Sequence, residues 1–476
     1  MSRNDSIDAA LALFDDGTFV TKLGRRIAIR TESQEPERAP ELRRYLEAEI
    51  GPDLARIGFS TTILDNPSGR GGPYLIASRV EEPSLPTLFT YGHGDVVRGM
   101  DGAWDEGRSP WRLEQVADRL YGRGVVDNKG QHTLNFLALE AVLRSRGRLG
   151  YNVTLFMEMS EEVGSPGVKA VCSAHKKALR ADVFIASDGP RLRPGQPTLY
   201  LGARGALNLD FRVRYREGGH HSGNWGGLLA NPAVRLANAL AAIVDERGRV
   251  RLRDLVPERI PESVRRALAL CEVDPGDSGP SIEDWWGEPG LSRAEKVFGW
   301  NTFDILAFGS GDPGAPVNAI PPQAYARCQI RHTVDRPVES FVPAIRSYLD
   351  ALGFLDVEVE AASDTGEWGA TRLDPDHPWP LFVVDSIRRT TGKDAVRVPN
   401  FGGSLPNDSF AVTLGLPTIF VPHSYPGCSQ HAPNEHGLMS VFRESMAVMA
   451  GLFHDLSEMP WPEGGHVQPG AGGTSA

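Results

Sequence analysis

The segments LFTYGHGDVV (88–97) and LYGRGVVDNKGQ (120–131), separated by a short connection, decide how the rest of the chain is interpreted. The first is an apolar run that ends at His93-Gly-Asp95, which is typical of a buried strand with an imidazole and a carboxylate at its carboxyl end. The second contains a glycine-punctuated turn and then Asp127, and a helical pattern begins at about Gln131. Two potential metal ligands therefore flank the start of one helix.

Two more apolar runs lead to the same kinds of side chain. YNVTLFMEM (151–159) precedes Glu161 and Glu162, and DVFIASD (182–188) ends at Asp188. Helical patterns separate these runs, so the alternation predicts an α/β fold with a mostly parallel sheet flanked by helices. A polar residue at the end of one strand usually indicates only that the strand ends at the solvent-exposed surface. Three such ends favour a ligand site, because ligands of open α/β sheets bind at the carboxyl ends of the strands.

The composition is that of a globular protein with more than one domain. The 476 residues exceed what one compact core usually holds, and 41% hydrophobic with 23% charged residues is typical of globular proteins. The formal net charge is −11 and no Lys/Arg block stands out, which argues against nucleic acid or a membrane as a partner.

The four cysteines are far apart, and the first residues lack the apolar core of a signal peptide. We therefore expect reduced thiols and a cytoplasmic protein.

The pattern changes at about residue 206. ALNLDFRVRYREG (206–218) alternates like an antiparallel strand with one wet face, and NPAVRLANALAAIVDE (231–246) is an amphipathic helix. Such patterns continue to about residue 365 and predict an inserted α+β domain at 206–365 with an antiparallel sheet. Residues 1–205 and 366–460 then form one α/β domain, in which Ser165 and Pro166 are expected to begin a helix. The composition of 461–476 is that of a disordered tail.

The candidate metal ligands are imidazole and carboxylate groups: His93, Asp127, Glu162, Asp188 and His431. This donor set suits Zn²⁺, with Mn²⁺ or Co²⁺ as possible substitutes. It exceeds the three or so ligands that one catalytic zinc needs, so a bridging carboxylate would let it hold two metals roughly 3.5–4 Å apart with an open position for water. Glu161 is then available as a base, and Asp95 is placed to orient the His93 ring.

The motifs that carry a family resemblance are His93-Gly-Asp95, GRGVVDNKG (122–130), Ser160-Glu161-Glu162-Val163-Gly164-Ser165, Ser187-Asp188-Gly189 and His431-Ala-Pro-Asn-Glu435. With them, and over nearly its whole length, the chain resembles the dizinc aminoacylase, carboxypeptidase and dipeptidase family, which includes acetylornithine deacetylase, succinyl-diaminopimelate desuccinylase and carnosine-type dipeptidases. The resemblance implies two zinc ions per subunit. One is bound by His93 and Asp188 and the other by Glu162 and His431, with Asp127 as the bridge and Glu161 as general acid and base.

The same resemblance implies that the inserted domain is a dimerisation or lid domain. Its segment HHSGNWGG (220–227) looks like the dipeptidase motif whose histidine, best matched by His221, stabilises the oxyanion in the partner subunit's active site. Further matches imply substrate binding by a second set of residues: Arg331, Asn318, Gly403 and Ser404. The chain departs from the family pattern at Asn128 and Gln131, which leaves the ligands intact and the subfamily open.

The resulting prediction is a homodimeric metal-dependent hydrolase of amide bonds in small peptides, in which Glu161 activates a water that bridges two metals. A dipeptidase or carboxypeptidase is favoured by the HSGNWGG and GGSLP segments, with an N-acyl-amino-acid deacylase as the alternative. A non-catalytic metal-binding or ligand-binding protein is the alternative of another class. A two-metal phosphoesterase is disfavoured because its usual Asp/His/Asn motifs are absent. Trp285 and Trp286 indicate core or interface packing, with a substrate pocket as the other interpretation.

Overall fold

The computed structural model describes residues 2–273, 280–362 and 368–462. Up to residue 204 its helices and strands are α1 (Arg3–Asp15), α2 (Thr18–Ile27), α3 (Ala39–Arg44), α4 (Gly51–Arg56), β1 (Ser60–Leu64), β2 (Tyr74–Arg79), β3 (Thr87–His93), β4 (Glu114–Val116), β5 (Arg119–Tyr121), α5 (Lys129–Arg146), β6 (Asn152–Glu158), α6 (Val168–Ala174), β7 (Val183–Ala186) and β8 (Thr198–Tyr200).

The second half of the chain continues with a further series of elements. These are β9 (Gly205–Arg214), β10 (His220–His221), α7 (Ser222–Trp225), α8 (Pro232–Ile243), α9 (Glu262–Leu268), α10 (Arg293–Phe298), β11 (Thr302–Gly309), β12 (Ala319–Ile320), β13 (Gln323–His332), α11 (Phe341–Ala351), β14 (Glu358–Ala361), α12 (Pro378–Thr391), β15 (Val396–Val398), β16 (Thr418–Phe420), β17 (His436–Leu438) and α13 (Met439–Glu458).

A large mixed sheet has its strands in the order β1, β2, β6, β3, β7, β16, β8 and β15. Its centre is parallel, because β3 pairs in the same direction with β6 and β7, and β7 does so with β16. The β1–β2, β2–β6 and β16–β8 pairs are antiparallel. The predicted α/β class is confirmed, and the carboxyl ends of β3, β6 and β7 lie at one edge of the sheet.

The centre of this layer is a dense apolar core. Every residue of β6 and β7 is buried, which explains why their sequences are nearly continuous apolar runs. The helix α5 is buried on almost all sides and packs against α1, α2 and α13. Each fully buried Leu or Phe in such a core contributes about 1.5–3 kcal/mol. This packing fixes the position of the start of α5, which follows shortly after Asp127.

An antiparallel sheet has the order β11, β13, β9 and β14. β9 and β13 pair along their whole lengths, from Gly205 opposite His332 to Arg214 opposite Gln323. The side chain of Asn231 caps α8, which packs on β9 and β13, and α11 contacts both α8 and β14. Alternate residues of β13 are buried, as expected for a sheet covered on one face. The expected antiparallel sheet and its helices are confirmed.

The predicted start of α6 is wrong. The helix begins at Val168, after Gly167, and not at Ser165 and Pro166. Ser165 has a φ of +49°, and its hydroxyl donates a 3.1 Å hydrogen bond to the buried Glu158 carboxylate. The backbone is left-handed again at Gly167, with a φ of +90°, so no right-handed helix runs through this segment and α6 begins only after it.

Several smaller expectations are also decided by the structure. All four cysteines are free and buried, as expected. Trp285 and Trp286 are 60% and 48% exposed, so they do not pack in the core, and interface packing stays a prediction. Trp461, the first residue of the expected tail, packs against Trp379 with ring centroids 5.2 Å apart, and 463–476 lie outside the described residues. None of the helices described here is long and apolar enough to cross a membrane.

Candidate metal centre and active site

His93 and Asp127 meet where β3 ends and α5 begins. His93 is completely buried, and its Nε2 lies 2.9 Å from Asp127 Oδ1. Its other ring nitrogen, Nδ1, lies 3.1 Å from the backbone carbonyl of Asp95. Because a carbonyl can only accept a hydrogen bond, Nδ1 carries a proton. Nε2 is then the nitrogen left for a metal ion, an arrangement typical of a histidine ligand.

Asp95 connects His93 to the Glu161–Glu162 segment. Its carboxylate is completely buried, and its two oxygens accept hydrogen bonds from the backbone N–H groups of Glu161 and Glu162, each at 3.1 Å. The Asp95 carboxylate is 3.5 Å from His93 Nδ1, farther away than its own backbone carbonyl. Asp95 therefore positions the His93 ring with its main chain and the glutamate pair with its side chain.

Asp127 lies between two groups of potential ligands. Its Oδ2 is 2.8 Å from His431 Nε2, which is also 3.0 Å from Glu162 Oε2. On the other side, Asp188 Oδ2 is 3.9 Å from His93 Nε2. Ligand atoms within 4.8 Å of one another form two triads that share Asp127. They are His93–Asp127–Asp188 and Asp127–Glu162–His431.

The electrostatics of this cluster fit a bound cation. Glu162 Oε1 and Asp188 Oδ2 are buried and accept no hydrogen bond from the residues that the structure describes. Burial raises the pKa of Glu162 to about 7 and that of Asp188 to about 6, and the Asp127 charge adds to both shifts. Burial also raises the pKa of Asp127, but hydrogen bonds from His431 and His93 outweigh it and lower that pKa well below its usual range. Divalent cations would remove the repulsion among these carboxylates, so the residues present fit metal ions.

Glu161 lies beside the cluster without belonging to either triad that contains Asp127. One of its oxygens is within 4.8 Å of ligand atoms of His93 and Glu162. Burial raises the pKa of Glu161 well above its usual value; His93 opposes this rise, and the neighbouring carboxylates add to it. A carboxyl group with a raised pKa is suited to accept and release a proton near neutral pH.

Sequence reasoning gave no role to Glu435, Gln430 and Lys129, which surround the cluster. Glu435 is buried, pairs with Arg123 at 2.7 Å and accepts hydrogen bonds from two backbone N–H groups of the turn before Asp127. Gln430 Nε2 donates to Asp127 Oδ2 at 2.6 Å, and the buried Lys129 donates to two backbone carbonyls. Only their position in the sequence could have indicated a role, because all three lie within or next to the ligand motifs.

Arg331 and Ser404, predicted to bind substrate, lie together. Arg331 Nη1 donates to Ser404 Oγ at 2.7 Å, and Ser404 Oγ donates to the carbonyl of Arg204 at 2.8 Å. Gly403 belongs to the same loop, in which the Gly402 carbonyl accepts two hydrogen bonds from the Arg204 guanidinium. The loop at 402–404 therefore brings two arginine side chains together, one of which the sequence did not indicate.

His221 and Asn318 lie together at an exposed turn. The strands β10 and β12 pair there, and the backbone N–H of Ser222 donates to the Asn318 carbonyl at 2.9 Å. His221 Nδ1 accepts a 3.1 Å hydrogen bond from the backbone N–H of Gly223. His221 is not part of any cluster of candidate ligands in the described ranges. The cluster of candidate metal ligands in the same subunit therefore does not include His221.

The fold and the cluster with its shared carboxylate are those of a metal-dependent peptidase. The chain belongs to Peptidase family M20/M25/M40, whose family model matches residues 89–455. The cysteinylglycine-S-conjugate dipeptidase of Corynebacterium striatum is 28% identical over 372 residues, which cover 75% of this chain and 78% of that relative.

Two solved structures are similar to this chain in fold. The M20 family metallo-carboxypeptidase Sso-CP2 from Sulfolobus solfataricus has a TM-score of 0.77 and 23% identity, covering 93% of this chain and 99% of that one. The di-peptidase Dug1p from Saccharomyces cerevisiae has a TM-score of 0.76 and 21% identity, covering 97% of this chain and 100% of that one. The family resemblance inferred from the motifs is confirmed.

Proposed function

We propose that this protein hydrolyses dipeptides, or the last peptide bond of other short peptides, with two divalent metal ions. The observation that carries the proposal is Asp127, whose two oxygens each contact a different histidine while Glu161 lies beside the cluster. The dipeptidase and carboxypeptidase names of the relatives support a small peptide as the substrate.

The proposed ligand sets follow the two triads that share Asp127. His93 and Asp188 hold one ion, Glu162 and His431 hold the other, and Asp127 contributes to both. Zn²⁺ is the expected metal because the donors are imidazoles and carboxylates, with Mn²⁺ or Co²⁺ as possible substitutes. When bound, such ions polarise a carbonyl oxygen and lower the pKa of water.

Glu161 is the proposed general base and general acid. Its carboxylate takes a proton from the attacking water and later gives it to the leaving nitrogen. The raised pKa of Glu161 supports this role, because a more basic carboxylate accepts a proton more readily. Asp95 is the positioning residue, since it holds the backbone of Glu161 through one oxygen and that of Glu162 through the other.

Arg331, Ser404 and Gly403 are proposed to bind the C-terminal carboxylate of the substrate. Arg331 is only partly exposed, and its hydrogen bonds go to the neutral side chains of Gln329 and Ser404. Its charge is therefore available for an anion, and the planar guanidinium matches a carboxylate geometrically.

The protein is proposed to act as a homodimer, with 206–365 as the dimerisation domain inserted into the catalytic domain at 1–205 and 366–460. The edge strand β11 supports this, because Ile305, Leu306 and Phe308 are 45%, 56% and 47% exposed. His221 would then act in the partner's active site, with Asn318 beside it. The four free cysteines support the proposed cytoplasmic location.

The test uses metal-loaded protein with three substrate series: dipeptides, dipeptide amides and N-acyl amino acids. We expect hydrolysis of dipeptides and much weaker hydrolysis of the amides, because the amides lack the carboxylate for Arg331. Turnover of N-acyl amino acids alone would make the protein a deacylase. Metal binding without turnover of any series would favour the non-catalytic alternative.

A further inference from the structure

A cavity of about 490 Å³ lies beside the loop at 402–404. It is bordered by β11, α10 and the segment from 280 to 288. Its exposed wall area is mainly apolar, and charged side chains of both signs also line it. The lining residues include Val250, Val297, Phe303, Arg204 and Trp300.

Two buried donor atoms at this cavity make no hydrogen bond within the described part of the chain. They are Nη1 of Arg204 and Nε1 of Trp300. The two residues are only 9% and 7% exposed, so water does not replace the missing acceptors. Buried donors without partners are uncommon in folded proteins, because each one loses its hydrogen bonds to water on folding. Both atoms belong to side chains that line the cavity, so a rotation of each side chain would bring its donor to an acceptor placed there.

The charge of Arg204 also lacks a partner. Its Nε and Nη2 donate to the Gly402 carbonyl, and no carboxylate oxygen of the described residues lies within 4.0 Å of its nitrogens. Four acidic residues line the cavity. Glu288 and Asp284 each pair with another arginine, Glu283 is exposed to solvent, and Asp304 acts on Arg204 only from beyond ion-pair distance. A buried cation without a counter-ion favours an anionic ligand.

The loop at 401–404 connects this cavity to the proposed active site. Phe401 packs against Gly189, the neighbour of Asp188, so that a Cβ on Gly189 would lie 3.0 Å from its ring. A Cβ on Gly402 would lie 3.3 Å from Val297 Cγ1 in the cavity wall. The loop therefore has a metal-site neighbour on one side and the cavity on the other.

We propose that this cavity is a specificity pocket for the side chain of the substrate's C-terminal residue, and that it prefers a carboxylate on an aliphatic stem, as in a dipeptide ending in glutamate. This proposal rests on the proposed dipeptidase function. Val250, Val297 and Phe303 contact the stem, and Arg204 and Trp300 donate to the side-chain carboxylate. Since both donor atoms are covered, each side chain turns to reach the ligand.

The test compares hydrolysis of Ala-Glu with that of Ala-norleucine, whose side chain has a similar stem and no carboxylate. We expect the wild-type kcat/KM for Ala-Glu to be about tenfold higher or more. Trp300→Phe removes the indole N–H and also reduces the side-chain volume, so the kcat/KM for Ala-norleucine serves as the reference for the lost volume. The preference for Ala-Glu over Ala-norleucine should fall by about three- to tenfold. Arg204→Gln should abolish it. Trp285→Phe is the matched control, because Trp285 is 60% exposed and does not line the cavity, and it should leave the preference unchanged.

Binding of free glutamate and free norleucine to the zinc-loaded proteins, measured by calorimetry, separates this proposal from the proposed function. Tighter glutamate binding by wild type than by Trp300→Phe, without hydrolysis of any dipeptide, would support the pocket and overturn the dipeptidase function. Dipeptide hydrolysis without a preference for Ala-Glu, or with a preference unchanged in both Trp300→Phe and Arg204→Gln, would overturn the pocket alone. Neither hydrolysis nor selective binding of glutamate would overturn both.

Discussion

Glu161 and Glu162 are adjacent in the chain but have different neighbours, since Glu162 Oε2 lies 3.0 Å from His431 Nε2 while Glu161 groups with His93. We expect Glu161→Gln to retain its metal and to lose about 10²–10⁴ in kcat, because an amide cannot accept the proton. Glu162→Gln should also weaken one metal, because it removes a ligand charge. Metal analysis beside kcat measures both effects. Equal metal loss in the two variants would show that their roles are assigned wrongly.

Asp95 should matter although it is not a proposed ligand. Asp95→Asn replaces one of the two oxygens that accept hydrogen bonds from the backbone N–H groups of Glu161 and Glu162 with an NH₂ group. We expect metal affinity about 10–100-fold weaker, as is typical when a residue that orients the ligands is lost. A competitive chelator titration measures this, with Asp65→Asn as an exposed control. Unchanged affinity in Asp95→Asn would remove it from the site.

The sequence predicted the ligands well because each follows a strand or a glycine-rich turn and carries metal-binding chemistry. It could not predict Glu435 as a support, because the Arg123–Glu435 pair joins positions 312 residues apart. Arg204 and Trp300 were also missed. Each has a buried side-chain donor atom without a hydrogen-bond partner among the described residues. Whether a donor finds a partner depends on how separate elements pack, and the sequence does not show this.

At the level of elements, long periodic runs were predictable and short ones were not. The central strands and α5, α8 and α13 have enough apolar repetition to be assigned from sequence. The small sheet of β17, β5 and β4 was missed, because strands of three residues carry too little periodicity. The predicted start of α6 was wrong because the backbone is left-handed at Ser165 and at Gly167, which the local Ser-Pro pattern does not reveal.

The first turn of α5 depends on a glycine. A Cβ on Gly130 would lie 1.9 Å from the backbone oxygen of Val125, so Gly130→Ala must displace the turn that carries Asp127. We expect a loss of about 1–3 kcal/mol in the free energy of unfolding, together with weaker metal binding. Thermal and denaturant unfolding measure the loss, with Gly195→Ala as the control because its Cβ would meet nothing within 4 Å. If both variants unfold alike, the proposed role of this close contact is wrong.

For the whole molecule, the position of His221 at an exposed turn leads to a test of the shared active site. We expect His221→Ala alone to lose about 10²–10³ in kcat, as for the loss of one oxyanion donor. Mixed under subunit exchange with Glu161→Gln protein, it should recover about one quarter of wild-type activity, because half of the dimers are mixed and each has one complete site. Assays before and after exchange measure this. Two variants that exchange subunits and stay inactive would contradict a contribution from the partner.

Removal and restoration of metal tests the central claim most directly, because the cluster around Asp127 is the basis of the proposed chemistry. The protein is dialysed against a chelator, its metal content is measured, and dipeptide hydrolysis is followed as Zn²⁺, Mn²⁺ or Co²⁺ is added back. We predict that activity disappears with the metal and returns as about two ions bind per chain. Dipeptide hydrolysis that continues at full rate in protein shown to contain no metal would contradict it.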